Sequence, residues 1–273
     1  MTSSLLVLTD FYRPANHALT YASHLAGAIG ARLVLLHVHR DALSDPERFT
    51  GLAELNAEST QLAFASLIAD LPGTAVAEVG HGRVADAVAT ALRKYQPALL
   101  VVGRTDASGT PDELITATAL DLLRAAPYPM LVVPDAPYIP PVPRRVLLAV
   151  DGEPFSLGTY AGSARHLLDT LRAELTVLHV TDRPATAETD SDALDSVQRT
   201  GLLTDLAIPV RIRHLVAEHP AGGILQAAKP ATYDMVAVIA RPRSFLGAFF
   251  HNSVTAQVLL HSQLPVLVLP AID

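Results

Sequence analysis

The chain of 273 residues carries one pattern of apolar segments twice. Each copy has four short runs rich in Val, Leu and Ile, and the runs recur in the same order. The matching runs are residues 5–11 and 146–152, 33–38 and 175–180, 98–103 and 235–240, and 129–134 and 265–270. Their offsets of 136 to 142 residues are too long for a solenoid, whose units have roughly 20–50 residues. The duplication therefore predicts two related domains in tandem.

A proline-rich segment lies between the two copies. Residues 134–143 read PDAPYIPPVP. Proline fixes the φ angle and favours extended backbone, so this composition is typical of a semi-rigid linker. We place the boundary near residue 140, with one domain over residues 1–136 and the other over residues 144–273.

Each copy alternates continuous apolar runs with longer amphipathic segments. Continuous apolar runs are typical of strands buried on both faces of a parallel sheet. The amphipathic segments, such as residues 14–29 and 82–95, have apolar residues at helical spacing. The order β-α-β-α-β-α-β-α-β predicts the α/β fold class, with two tandem doubly wound domains. In each we expect a five-stranded, mainly parallel sheet flanked by helices, the two domains being related by an intrachain pseudo-two-fold axis.

The last apolar run of each copy would form a sheet edge if the domains stood apart. An exposed apolar edge strand is an aggregation hazard. We therefore predict that Met130–Val133 and Val266–Leu269 pair with each other inside one chain, as a pseudo-dimer. Whether two chains then form a further homodimer is left open by the sequence.

Composition excludes several classes of protein. The chain has no Cys, which excludes disulfide frameworks, thiolate metal sites and cysteine nucleophiles. Its net charge of −7 disfavours a nucleic-acid binder, which normally presents a basic face. No apolar run approaches the roughly 20 residues of a membrane-spanning helix, and the N-terminus lacks the basic region of a secretory signal. We expect a cytoplasmic protein with neither a membrane nor a nucleic acid as partner.

Residues that follow the apolar runs are the candidates for ligand binding, because ligands of open α/β sheets bind beyond the carboxyl ends of the strands. Asp10 and Asp151 end the first run of each copy, and "LHV" occurs in both second runs. The first copy adds "VVG" in its third run and "PYPMLVVP" at its end, which the second copy matches with "LPVLVLP". With these landmarks, nearly the whole chain resembles the tandem form of the universal stress protein family. The resemblance implies that family's doubly wound fold and its frequent dimerisation through the last strand.

Nucleotide-binding members of that family carry a Gly, a second Gly three residues on, and a Gly-Ser or Gly-Thr pair after about ten more. Glycines let the backbone approach phosphates, and the last pair sits at a helix N-terminus. The first copy keeps Gly103 but has Asp106 second and Thr116-Ala117 last; an Asp at that place repels phosphate. Aligned on residues 98–103, the second copy has Ala240 and Arg243 at the first two positions; counted back from Pro265, with one residue deleted, its last pair is Asn252-Ser253.

Neither copy therefore has the full motif. No cofactor is assigned with certainty, and the partial motifs still allow ATP or AMP to bind. Asp10 and Asp151 match the family position that contacts the nucleoside; the alternative is that each accepts hydrogen bonds from the turn after its strand. In the second copy, Arg241 and Arg243 could meet an anion, and Ser253 could cap a helix. The candidate nucleotide-binding residues are Asp10, Val38, Gly103, Asp151, Val180, Arg243, Asn252 and Ser253.

Three functions remain open, and no catalytic residue is assigned. The chain is expected to be a tandem stress-response protein that acts by binding a small ligand or an unknown partner. The first alternative is an ATP or AMP sensor that uses mainly the second domain. An adenylate-type hydrolase is the weakest of the three hypotheses, because catalysis needs a preorganised phosphate site and neither copy has the full glycine motif. His37 and His39 share one strand face and could hold a metal, but a core imidazole with a backbone partner is favoured, so no metal is expected.

Overall fold

The computed structural model describes residues 3–39, 57–71, 73–104, 112–136, 139–182, 184, 187–242 and 253–272; for 112–117 and 187–190 it describes the backbone only. The first half contains β1 (Ser4–Leu8), α1 (Arg13–Ile29), β2 (Arg32–His39), α2 (Ala57–Ala69), β3 (Ala75–His81), α3 (Val84–Tyr95), β4 (Leu99–Arg104), α4 (Asp112–Ala125) and β5 (Met130–Pro134). The second half contains β6 (Arg145–Val150), α5 (Tyr160–Leu171), β7 (Glu174–Thr181), α6 (Ala187–Gln198), β8 (Val210–Val216), α7 (Pro220–Ala227), β9 (Met235–Ala240), α8 (Val254–His261) and β10 (Val266–Pro270).

The strands of each half are parallel, and the terminal strands β5 and β10 pair antiparallel. Val266, Leu267 and Val268 lie opposite Val132, Leu131 and Met130, which confirms the predicted pairing inside one chain. Since the two five-stranded halves meet there, they form one continuous sheet of ten strands. Its order is β3-β2-β1-β4-β5-β10-β9-β6-β7-β8. The sequence predicted two sheets related by a pseudo-two-fold axis, and the pairing of their last strands makes them one.

Two apolar cores lie on the two faces of this sheet, and each contains residues of both halves. All residues of β5 and β10 are buried. Full burial of a Val or Leu side chain contributes about 1.5–3 kcal/mol, so the central pair of strands is a large part of what holds the halves together. Among the described residues, no helix is long and apolar enough to cross a membrane.

The second half is tied to the linker at the start of β6. Asp234 is buried and its Oδ2 accepts hydrogen bonds of 2.9 Å from the backbone amides of Arg144 and Arg145. The Arg145 guanidinium also contacts this carboxylate, at 2.6 Å from Nη2 to Oδ1. Burial raises the pKa of the Asp234 carboxyl, but the hydrogen bonds from Arg145 and the amides lower it more, so the net pKa is below its ordinary value. The end of the linker is therefore fixed in place by one carboxylate.

Candidate functional site

Two crevices correspond to the ligand sites of doubly wound folds, where strand order reverses. We call the space beyond the carboxyl ends of β1 and β4 the first crevice, and that beyond β6 and β9 the second crevice. Parts of both loops, residues 105–111 and 243–252, lie outside the described residues. The candidates Arg243 and Asn252, and the repelling Asp106, fall in those ranges.

Strand pairing corrects the alignment of the two nucleotide motifs. Leu5 pairs with Leu99 in the first half, and the equivalent Val146 pairs with Met235 in the second. The equivalent of Gly103 is therefore Ile239, one residue before the Ala240 expected from the sequence. Both β4 and β9 show the same burial pattern, with the half-buried residue second from the end. A shift of one residue turns every side chain of a strand to the other face. Counted three residues on from Ile239, the second motif position is Pro242, one residue before Arg243.

Asp10 lies exposed at the mouth of the first crevice. Its Oδ1 accepts a hydrogen bond of 2.9 Å from the Tyr12 amide, an Asx turn that leads into α1. Phe11 between them has a φ of 67°, which a non-glycine residue rarely adopts. Its ring packs on His37, with 4.5 Å between the ring centroids. The turn interpretation of Asp10 is thus realised in the structure.

Gly103 is in direct contact with the first turn of α1. A Cβ atom at this position would lie 2.4 Å from the carbonyl oxygen of Pro14, which is backbone and cannot give way. Helix α1 starts only three residues after Asp10, so its first turn reaches across β4. The glycine therefore permits close packing of helix on strand.

An ion pair spans the second crevice. The guanidinium of Arg241, after β9, contacts the carboxylate of Asp151, after β6, through Nε to Oδ2 at 2.8 Å and Nη2 to Oδ1 at 2.7 Å. The same guanidinium donates to the carbonyl oxygens of Glu153 and Pro154, at 2.8 and 3.0 Å. The Arg241 side chain is 8% exposed and that of Asp151 46%. The anion that Arg241 meets is the chain's own carboxylate, and both Asp151 oxygens are engaged.

Loop residues 151–159 extend this closure. Helix α5 begins at Tyr160, so the connection after β6 is longer than its counterpart after β1. Phe155 lies under the Arg241 guanidinium, 5.8 Å from its ring centroid. The loop is tethered to the end of the chain, where the Ile272 amide donates to the Ser156 carbonyl at 2.8 Å. Arg241 thus closes the crevice and also orders the loop in front of it.

The two valine candidates point into the core. Val38 and Val180 are buried within the same apolar cluster, on the sheet face opposite the Asp151–Arg241 pair. A Cβ on Gly223 would lie 2.6 Å from Val180, so Gly223 of the Gly222-Gly223 dipeptide serves the packing of α7 on β7. Ser253 caps α8, since its side chain accepts a hydrogen bond from the Ala256 amide at 3.1 Å. That confirms its predicted capping role and leaves its nucleotide role a prediction.

Arg104 is a buried residue that the sequence did not single out. It follows Gly103, points to the opposite face of the sheet and crosses to the second half. There its guanidinium donates to the backbone carbonyls of Leu259 and Ser262, the latter at 2.5 Å. These carbonyls end α8, where the helix has no intrahelical donors for them. Its structural equivalent is Ala240, so the link between the halves has no symmetric copy.

His37 has the backbone partner that the sequence favoured for it. The Nδ1 of His37 is 2.9 Å from the carbonyl oxygen of Thr9. His39 stacks on His81, with 5.5 Å between the ring centroids, and its Nε2 lies 3.4 Å from the Thr60 hydroxyl. Within the described part of the chain, no group of three His, Asp or Glu side chains has the geometry of a metal site.

Sequence patterns indicated only part of this site. They pointed to Asp151 and to Arg241 as a residue that could meet an anion, but they did not join the two, which are 90 residues apart. No local pattern marked Arg104. The signal available was an arginine directly after the apolar run of residues 98–103, a position where a charge needs a partner.

The Universal stress protein family model matches the chain twice, over residues 1–134 and 143–270. No curated protein matches the chain. Among solved structures, a universal stress protein from Archaeoglobus fulgidus DSM 4304 is similar, with 17% identity, a TM-score of 0.73, and coverage of 98% of each chain. A putative universal stress protein from Pseudomonas aeruginosa UCBPP-PA14 has 16% identity and a TM-score of 0.60, covering 99% of this chain and 94% of its own. At these identities the likeness concerns the fold.

Proposed function

Because this chain belongs to the universal stress protein family and carries two of its domains in tandem, we propose that it works without a nucleotide in either crevice. Its activity is then the binding of a protein partner or a small ligand in the stress response. The observation that carries this proposal is the Asp151–Arg241 ion pair, which engages both oxygens of the carboxylate that the family resemblance assigned to the nucleoside.

Two glycine-motif positions support the absence of ATP or AMP. In the first crevice, Gly103 is taken up by packing against α1, since a Cβ there would lie 2.4 Å from the Pro14 carbonyl oxygen. In the second, Ile239 stands at the glycine position and sets a branched side chain where backbone amides would have to approach. A nucleotide that contacts Asp151 in the second crevice would have to displace the nearly buried Arg241 guanidinium, which opposes binding.

One observation favours the alternative, a nucleotide sensor in the second half. Ser253 stands at the N-terminus of α8, where backbone amides and the helix dipole attract anions. Its hydroxyl is already engaged by the Ala256 amide. In a nucleotide sensor, the Ser253 hydroxyl would have to release the Ala256 amide in order to bind a phosphate. We therefore rank the sensor function second.

Thermal unfolding with and without nucleotide tests the proposal. A ligand that binds the native state raises stability by about 2.7 kcal/mol at a hundred times its Kd. We expect the melting temperature to be the same without ligand and with millimolar ATP or AMP. A clear rise would contradict the proposal and support the sensor. Ser253→Ala would then locate the site, because it should reduce that rise if α8 holds the phosphate.

A further inference from the structure

The ten-stranded sheet has two outer strands, β3 and β8. Among the described residues, no strand pairs with the outer side of either. Such edges present unpaired N–H and C=O groups and can accept an added strand. The two edges differ in the arrangement of their exposed apolar and charged side chains. That difference favours one of them as an interaction surface.

On β3 the exposed apolar residues do not form a continuous surface. Val76 and Val79 are each 38% exposed, but they are three residues apart and point to opposite faces. The charged residue of this strand, Glu78, is held within its own half. Its oxygens accept hydrogen bonds of 2.9 Å from Lys94 and 2.5 Å from the Tyr95 hydroxyl, both on α3.

On β8 the exposed apolar residues do share one face. Val210, Ile212 and Val216 are 38%, 40% and 51% exposed, and they lie at even spacing along the strand. His214 completes this row and is fixed from behind, with its Nε2 2.7 Å from the Thr181 hydroxyl. Alternate residues of a strand lie on one face, so the row is an apolar stripe along the whole edge.

The other face of β8 is basic. Arg211 and Arg213 alternate with the apolar stripe. The Arg211 side chain is 72% exposed, and its ion-pair partner Glu174 is itself 52% exposed and 3.8 Å away. An exposed pair at that distance contributes little and is readily exchanged. In a chain of net charge −7, β8 itself carries two arginines and no acidic residue.

We propose that β8 is a docking edge for an extended acidic segment of a partner protein, which adds to the sheet as a further strand. Backbone hydrogen bonds to β8 would hold the segment. Its apolar residues would extend the Val210–Val216 stripe, and its acidic residues, on the other face, would meet Arg211 and Arg213. This inference rests on the proposed function, since it gives the partner a surface and a chemistry.

Charge argues against a second copy of this chain as the occupant. Two β8 strands paired with each other would bring the arginines of both copies to the same region of the joint sheet. Like charges across paired strands are destabilising. An acidic segment meets the same arginines with opposite charge, which also speeds association.

The test uses the full chain and a fluorescent peptide of alternating Glu and Val, matched in length to the seven residues of β8. A peptide with Lys for Glu, and one N-methylated at alternate amides, serve as controls. By fluorescence anisotropy we expect the Glu peptide to bind roughly tenfold more tightly than either control. Equal binding of the Lys peptide, or no saturable binding of the Glu peptide, would overturn the proposal.

Two pairs of variants locate the binding. Arg211→Glu should weaken binding of the Glu peptide and strengthen binding of the Lys peptide. A variant that had merely unfolded would bind both peptides more weakly. Ile212→Lys on β8 should lose binding, while Val79→Lys on β3, at a site of nearly equal exposure, should retain it. Equal losses in both would place the site elsewhere.

Sedimentation of the wild type tests self-association through β8. A dimer that Ile212→Lys abolishes would overturn the acidic-partner proposal in favour of a second copy. The nucleotide melting experiment is independent of these results. A nucleotide-induced shift would refute the proposed function whether or not the peptide binds, and failure of the peptide alone would refute only the docking edge.

Discussion

The first crevice and the second crevice occupy equivalent places in the two halves, yet different parts of the chain close them. In the first, the backbone of α1 lies against Gly103, and Asp10 stays exposed in a local turn. In the second, two long-range side chains, Asp151 and Arg241, close the space. A duplicated fold thus keeps its strands and its aspartates while the contacts beyond the strands diverge.

This difference has a physical consequence. Closure by close backbone packing tolerates no added atom, because a carbonyl group within a helix cannot move aside alone. Closure by an ion pair depends on two side chains and can be removed by substitution of either one. The two halves should therefore respond differently to changes at equivalent positions.

The largest effect is expected for Gly103→Ala. Its Cβ would lie 2.4 Å from the Pro14 carbonyl oxygen, so α1 must shift away from β4. Over-packing of this kind costs about 3 kcal/mol in free energy of unfolding. Urea denaturation measures it. Gly162→Ala in α5, where nothing lies within 4 Å, is the control and should gain up to about 1 kcal/mol. A loss at Gly103 no greater than 0.5 kcal/mol, roughly the scatter of surface substitutions, would contradict the packing.

Exchange of the two aspartates for Asn compares the halves directly. Asp151→Asn leaves the buried Arg241 charge without its carboxylate, and we expect a loss of about 2 kcal/mol, reduced from the fully buried case because Asp151 is half-exposed. Asp10→Asn keeps its Asx turn and should change stability by less than about 0.5 kcal/mol. Thermal and urea unfolding of both variants test this.

A double variant sharpens the same comparison. Arg241→Met combined with Asp151→Asn removes both charges, so it should recover part of the loss seen for Asp151→Asn alone. Additive losses in the double variant would mean that the two groups do not stabilise each other.

A smaller loss than for Asp151→Asn is expected for Arg104→Met. The variant removes two charge-assisted hydrogen bonds to the end of α8 but keeps an apolar side chain of similar length, so the loss should be about 1.5 kcal/mol. Hydrogen exchange in the last turn of α8 should accelerate, although the substitution lies in the other half. Arg124→Met, at an exposed residue of α4, is the control. Unchanged exchange in α8 would show that Arg104 does not hold that helix end.

Much of the fold was accessible from the sequence because it depends on local pattern. Helix α1 was expected over residues 14–29 and spans Arg13–Ile29, since proline at its start and Gly30 at its end set its limits. The strand β9 was expected over residues 235–240 and has those bounds. The pairing of β5 with β10 followed from the cost of two exposed apolar edges.

The candidate site was less accessible, and its errors have one cause. The fourth strands of the two halves are both apolar, so similarity alone did not fix their alignment, and Ala240 was matched to Gly103 in place of Ile239. Only the pairing of β9 with β6 gives the correct register. The residues that this register brings within reach then determine the partners of the long side chains.

By itself, the sequence determined that this chain folds as two α/β halves joined through their last strands, because burial of continuous apolar runs leaves few other arrangements. The tertiary structure alone decided that Arg241 meets Asp151 and that Arg104 reaches α8. Those contacts join residues some 90 and 155 positions apart, and no local periodicity encodes the distance between them. The hydrophobic pattern is local and repetitive, so it can be recognised in the sequence. The partner of a charged side chain depends on which residues the tertiary structure brings next to it.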